Sequence, residues 1–78
     1  KNDISSATVT LSSYYPKNSN KVRILNLKAA VDQYPEAYYN LGVYYFNKKK
    51  NKKSKFYFIA AKSTGFDIGD FYEAFLKN

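Results

Sequence analysis

The 78-residue chain contains no cysteine, histidine, methionine or tryptophan, and only three glycines and two prolines. Without cysteine no disulfide staples the fold, and nothing in the chain reports a redox compartment. Without histidine the commonest metal ligand and the commonest general base are both missing. The chain begins at Lys1 with no methionine anywhere, so either processing or a cut boundary is expected there. The longest uncharged apolar run, Leu41 to Phe46, is a third of the roughly 18 residues that a membrane-spanning helix needs. No charged-then-apolar targeting segment opens the chain. A core this small supplies only a few kcal/mol unless something extends it.

Acidic residues are scarce, six against thirteen Lys and Arg, for a net charge of +7. Asp3, Asp32, Glu36, Asp67, Asp70 and Glu73 mostly fall where helices are expected to start, where carboxylates act as caps and dipole partners. Asp70 and Glu73 share a helix face, but two carboxylates without a recognisable pocket are a poor catalytic signal. There is no glycine-rich phosphate loop, no Ser–His pairing and no cluster of metal ligands. These absences lead us to expect a protein that is not an enzyme and that needs no cofactor or metal.

What the chain has in abundance is aromatic residues, nine Tyr and six Phe, and lysine. It also has an internal repeat. Shifting the sequence by 31 positions pairs Tyr14 with Tyr45, Lys17 with Lys48, and Asn20-Lys21 with Asn51-Lys52. The same shift pairs Ala29-Ala30 with Ala60-Ala61, and matches Tyr15 with Phe46, Leu25 with Phe56 and Leu27 with Phe58 in size and polarity.

Helix signals are clearest in the second unit. Pro35 suits a first helical position, where its missing N–H would be unbonded anyway, and Glu36 follows in the first turn. Tyr38, Leu41, Gly42 and Tyr45 then recur at helical spacing on one face. The lysine run that begins at Lys48 gives the turn. A second helix follows with Phe56, Ile59, Ala60 and Ser63 on one face, Phe58 and Ala61 beside them, and Gly65 as its stop. Repetition of this layout predicts five helices at about 3–15, 20–33, 36–47, 52–64 and 67–77. Asn20 and Asp67 are expected N-caps, and Pro16 ends the first helix. Ala7 to Leu11 alternates with period two, so a strand is the competing reading of that segment. The repeat register favours a helix. For the last helix a spacing of 31 competes with one of 34, which brings Tyr72 and Phe75 to the aromatic and leucine positions.

The segment PEAYYNLGVYYFNKKKNKKSKFYFIAAKSTG, with Tyr38, Leu41-Gly42, Tyr45, Ser54, Phe58 and Ala61, resembles a tetratricopeptide-type repeat. The run KAAVDQYPEAYYNLGVYY is similar to the related Sel-one-like repeat, whose helices end in paired alanines before the next Leu-Gly helix. The resemblance implies an all-α, short right-handed solenoid of antiparallel helical hairpins. It would hold about two and a half repeats in five helices, within a single domain at 1–78 or part of a longer array. Its units fall at about 3–33, 36–64 and 67–77. Gly42, Ser54 and Ala61 would be the small residues that let the paired helices approach closely.

Tyr39, Val43 and Phe46 form a second apolar stripe on the Leu-Gly helix, and a helix apolar on two faces must bury both or bind something. The resemblance places this stripe in a concave groove that holds a peptide or helix of another protein. Asn40 and Asn47 stand there as backbone-bonding positions, Thr8, Ser12 and Tyr15 extend the groove on the first unit, and Lys77 does so on the last. The competing reading packs the stripe against neighbouring repeats. Lys48, Lys49, Lys50, Lys52, Lys53 and Lys55 form a possible anionic-surface patch for nucleic acid or acidic lipid, or else a solvated turn. Exposed end faces would allow self-association or stacking on further repeats.

Overall fold

Residues 2–17 and 19–77 are described by a computed structural model, and every regular element among them is an α-helix. In chain order these are α1 (Asn2–Ser12), α2 (Asn20–Val31), α3 (Pro35–Asn47), α4 (Asn51–Ser63) and α5 (Gly69–Lys77). The expected domain limits at Lys1 and Asn78 lie outside the described residues. The alternating segment Ala7 to Leu11 is helical, because Val9 and Ser12 share a helix face that buries against α2.

Helix ends follow local chemistry and shift several expected boundaries. α1 stops at Ser12 rather than near Tyr15. Pro16 disfavours helical geometry at the residue before it, and the amides of Ser13, Tyr14 and Tyr15 turn to carbonyls three residues back, at 3.1–3.2 Å. α2 is capped by Ser19, whose Oγ accepts from the Val22 amide at 3.3 Å. Asn20 does not cap it, since its Oδ1 accepts from the Arg23 guanidinium. Pro35 does sit in the first turn of α3, with Glu36 beside it. α5 begins two residues later than expected, since Asp67 closes a turn by accepting from the Gly69 amide at 2.9 Å while Ile68 is drawn into the core.

Three helices end in the same way. Beyond α2, α3 and α4 the chain passes through a left-handed residue, Gln33, Lys49 and Gly65, with φ of 58°, 62° and 91°. At each, the next amide reaches back to an orphan carbonyl: Tyr34 to Ala29 at 3.3 Å, Lys50 to Tyr45 at 2.9 Å and Phe66 to Ala61 at 2.9 Å. This is the Schellman arrangement, in which glycine is the favoured residue. Gln33 and Lys49 hold it against a steric penalty of roughly 1 kcal/mol each. Lys49→Gly is therefore expected to raise the urea midpoint, by the equivalent of about 0.5 kcal/mol after allowing for the freer unfolded chain. A lowered midpoint would show that the Lys49 side chain contributes more than the backbone strain removes.

From α1 to α4 successive helices pack antiparallel, as their pairings show. Ser12 meets Asn26 across α1 and α2, Asn26 meets Asn40 and Ala30 meets Tyr38 across α2 and α3, and Gly42 meets Ser54 across α3 and α4. The buried positions repeat at 32 residues rather than 31. Val22, Asn26 and Ala29 on α2 correspond to Ser54, Phe58 and Ala61 on α4, and Gln33 corresponds to Gly65. The sequence register misses this by one because the lysine, asparagine and alanine matches lie mostly at exposed or half-exposed places. The same slip misplaces the face of α4. Phe56 and Ile59 are 65% and 55% exposed, whereas Phe58 is fully buried. α5 starts at Gly69, 34 residues after the start of α3 at Pro35. The α4–α5 connection holds two residues more than the α2–α3 connection, and buried Ile68 fills that extra length.

Gly42 explains how closely α3 and α4 approach. A Cβ built on it would lie 2.7 Å from two atoms of the Phe58 ring. Ser54, fully buried, donates its hydroxyl to the Gly42 carbonyl at 2.8 Å. Ala61 is equally buried but sits two turns further along α4, in a cluster with Phe58 and Ile68. Close approach is thus carried by Gly42 with Ser54 and Phe58. α5 closes that end through rings: Tyr72 stacks on Phe58 at 4.4 Å, and Phe75 meets Phe46 edge-on at 4.9 Å.

Candidate functional site

α1 and α3 both run antiparallel to α2, so they run parallel to each other, and a cleft of about 340 Å³ opens between them. Val9, Thr10 and Ser12 supply the α1 wall, with Ser13, Tyr15 and Lys17 beyond its end. Glu36, Tyr39, Asn40 and Val43 supply the α3 wall, Val22 reaches in from α2, and Tyr72 of α5 adds a further side. Because α1 and α3 are parallel, Glu36 in the first turn of α3 and Lys17 past the end of α1 mark opposite ends. The cleft is mostly apolar and carries one charge of each sign.

A hydrogen-bonded chain sets the spacing of the two walls. Asn26, fully buried on α2, donates through Nδ2 to Ser12 Oγ at 3.1 Å and to the Val22 carbonyl at 2.9 Å. Asn40 Nδ2 donates in turn to Asn26 Oδ1 at 3.0 Å. Ser12 Oγ donates to the Val9 carbonyl at 2.6 Å. Among the described residues no buried side-chain nitrogen or oxygen is left without a partner. Burial, with the Tyr39 phenol beside it, pushes the Tyr72 phenol above its ordinary value of 10.0, so Tyr72 faces the cleft as a neutral hydroxyl.

Tyr39, Asn40, Val43, Ser12 and Tyr15, all expected in the groove, do line this cleft. Phe46 and Asn47 do not. Phe46 makes edge-on contacts with Phe71, Tyr72 and Phe75, so α5 takes that part of the stripe as packing surface. Asn47 ends α3 in solvent. Thr8 donates back to the Ile4 carbonyl, and neither Thr8 nor Lys77 lines the cleft. Tyr39 is half-buried among the rings of Phe58, Phe66 and Tyr72, so it supports the wall as well as facing the cleft. Sequence reading missed Val9, Thr10, Ser13, Lys17, Val22, Glu36 and Tyr72.

The lysine run is split by the fold. Lys48, Lys50 and Lys53 gather with Arg23 of α2 around a shallow hollow of about 380 Å³ floored by Tyr44 and Tyr45. Lys49, Lys52 and Lys55 do not line it, and Lys55 lies over the Phe75 ring at 5.3 Å instead. Of the carboxylates near the chain end, Glu73 is paired with Lys62 at 2.7 Å, a half-exposed ion pair of small worth. Among the described residues no three carboxylates lie where they could share a metal ion, and no helix is long and apolar enough to cross a membrane.

Comparison with protein-family models, with curated proteins and with solved structures finds no match to this chain.

Proposed function

We propose that the chain is a non-enzymatic protein-interaction module that holds a peptide segment of a partner protein in the cleft between α1 and α3. In this reading the helices are stacked hairpins of a right-handed solenoid of the tetratricopeptide type, nearest in pattern to Sel-one-like repeats. The observation that carries it is the cleft itself: five of the residues singled out from the sequence converge on one concave, largely apolar surface. The repeated burial pattern on α2 and α4 supports the hairpin stacking. The cleft volume lies at the lower end of the range for ligand sites, roughly 300–1,000 Å³. That size suits a few residues of extended peptide better than a whole helix. Glu36 and Lys17 would favour a peptide with opposite charges at its two ends.

The test is selection from a displayed peptide library, followed by mapping of the recovered peptide by amide chemical shifts. Shifts are expected at Ser13, Tyr15, Asn40 and Val43. Tyr15→Ala with Thr10→Lys, both exposed residues of the cleft wall, should weaken binding by at least about tenfold, the loss of one good anchor, with helicity and thermal midpoint retained. Tyr39 is a poor choice for this test because its ring is also part of the core. Peptides that bind elsewhere, or a variant that binds as well as the parent, would overturn the reading.

A further inference from the structure

We infer that the hollow bounded by Arg23, Lys48, Lys50 and Lys53 is a binding site for a clustered phosphate group, separate from the cleft. Its four cations come from two parts of the chain that are far apart in sequence, and no carboxylate is among the residues lining it. Like charges gathered within a Debye length of about 8 Å repel one another, so an arrangement without a counter-charge favours a multivalent anion.

The cations are also held in place. Lys48 Nζ sits 5.5 Å above the Tyr44 ring and Lys53 Nζ 5.3 Å above the Tyr45 ring, both within cation–π range. The Arg23 guanidinium is oriented by Asn20, at 2.9 and 2.7 Å. The turn carrying Lys48 and Lys50 is locked by the Lys48, Lys49 and Lys50 amides bonding to the Tyr44, Phe46 and Tyr45 carbonyls at 2.9–3.1 Å. An anion entering here therefore meets donors that lose little freedom on binding.

The floor decides the ligand class. Tyr44 and Tyr45 are only 7% and 9% exposed, and their rings are engaged with each other and, for Tyr45, with Tyr57. No ring face is open for a base to stack on, as single-stranded nucleic acid binding would need. The hollow reads phosphate and nothing attached to it. A concave site also suits a discrete headgroup or oligophosphate better than a flat lipid surface.

The experiment is titration of the whole chain with inorganic tripolyphosphate at about 0.15 M salt, near physiological screening. Saturable binding is expected, with a rise in thermal midpoint that sodium chloride of equal ionic strength does not produce. Lys53→Gln and Arg23→Gln should each weaken it about tenfold, as loss of a charge-assisted contact does. The charge-matched variants Lys49→Gln and Lys52→Gln should change it less than about twofold, because neither side chain reaches the hollow. Lys53 is exposed, so its substitution leaves the fold intact if removal of Arg23 should loosen the start of α2. A second arm compares phosphatidylcholine vesicles carrying phosphatidylinositol bisphosphate with vesicles carrying phosphatidylserine at equal charge. Preference for the former identifies a lipid-linked phosphate source, and equal or absent vesicle binding a soluble one. Equal losses in all four variants would mean a diffuse positive field, and no saturable binding would mean no site; either overturns the inference.

Discussion

Gly42→Ala is expected to destabilise the protein by about 3 kcal/mol, the upper end of what overpacking a core does. Helix propensity alone gives the opposite sign, since alanine is favoured over glycine inside a helix by about 1 kcal/mol. The steric term wins because of what lies above the glycine. The added methyl would meet three Phe58 ring atoms, at 2.7, 2.7 and 2.9 Å. Phe58 is fully buried and cannot swing away, being stacked on Tyr72 and wedged against Tyr39. The only other relief is to separate α3 from α4, which stretches the Ser54–Gly42 hydrogen bond of 2.8 Å. With a urea m-value near 1 kcal/mol/M for a small domain, the midpoint should fall by roughly 3 M. A core of this size holds only a few kcal/mol, so Gly42→Ala should leave much of the protein unfolded in water. Phe58→Leu in the same chain should restore part of the loss by removing ring atoms. An unchanged or raised midpoint for Gly42→Ala would mean that the helices are not as close as the structure places them.

Asn26→Ala comes next, with an expected loss of about 2–3 kcal/mol from stranded polar groups and an unfilled volume. Asn26 is the middle link between α1 and α3, accepting from Asn40 and donating to Ser12 and to its own helix. Its removal leaves Ser12, itself 3% exposed, without that donor. Asn26→Leu separates the two contributions. If volume were the whole effect, leucine would restore stability; if the polar chain matters, at least half of the loss should remain. Amide hydrogen exchange gives a second measure: α1 should exchange faster in Asn26→Leu, while α4 and its contact with Gly42 stay protected. Since Asn26 sets the distance between the cleft walls, peptide binding should weaken in step with α1 protection. Full stability in Asn26→Leu would show that the chain of amides tunes register without holding α1.

The turn lysines and the α4 face show where sequence reading reached its limit. Identity at a shift of 31 positions came from residues such as Lys17 and Lys48 or Asn20 and Asn51, which the fold leaves exposed, so nothing forces them into equivalent places. Burial forces the positions of Val22, Asn26 and Ala29 and of Ser54, Phe58 and Ala61, and these six differ in type at two of three pairs. A valine and a serine, or an asparagine and a phenylalanine, are not recognisable as equivalents by composition. Choosing the α4 face by apolar count then selected Phe56 and Ile59, although the space over Gly42 admits only the face that carries Phe58.

The all-helical architecture and the number and approximate limits of the helices follow from the sequence alone. They rest on spacing within one or two turns, where the chain's own geometry couples neighbours. The tertiary structure alone decided the rest: that Asn26 links α1 to α3, that Phe46 belongs to the α5 interface, and that Arg23 joins three of six lysines. Each of these depends on contact between residues more than ten positions apart, which is set by how helices rotate and pack and not by any local preference. The cleft is of the same kind, for its two walls meet only because α2 holds them apart at the width of one asparagine.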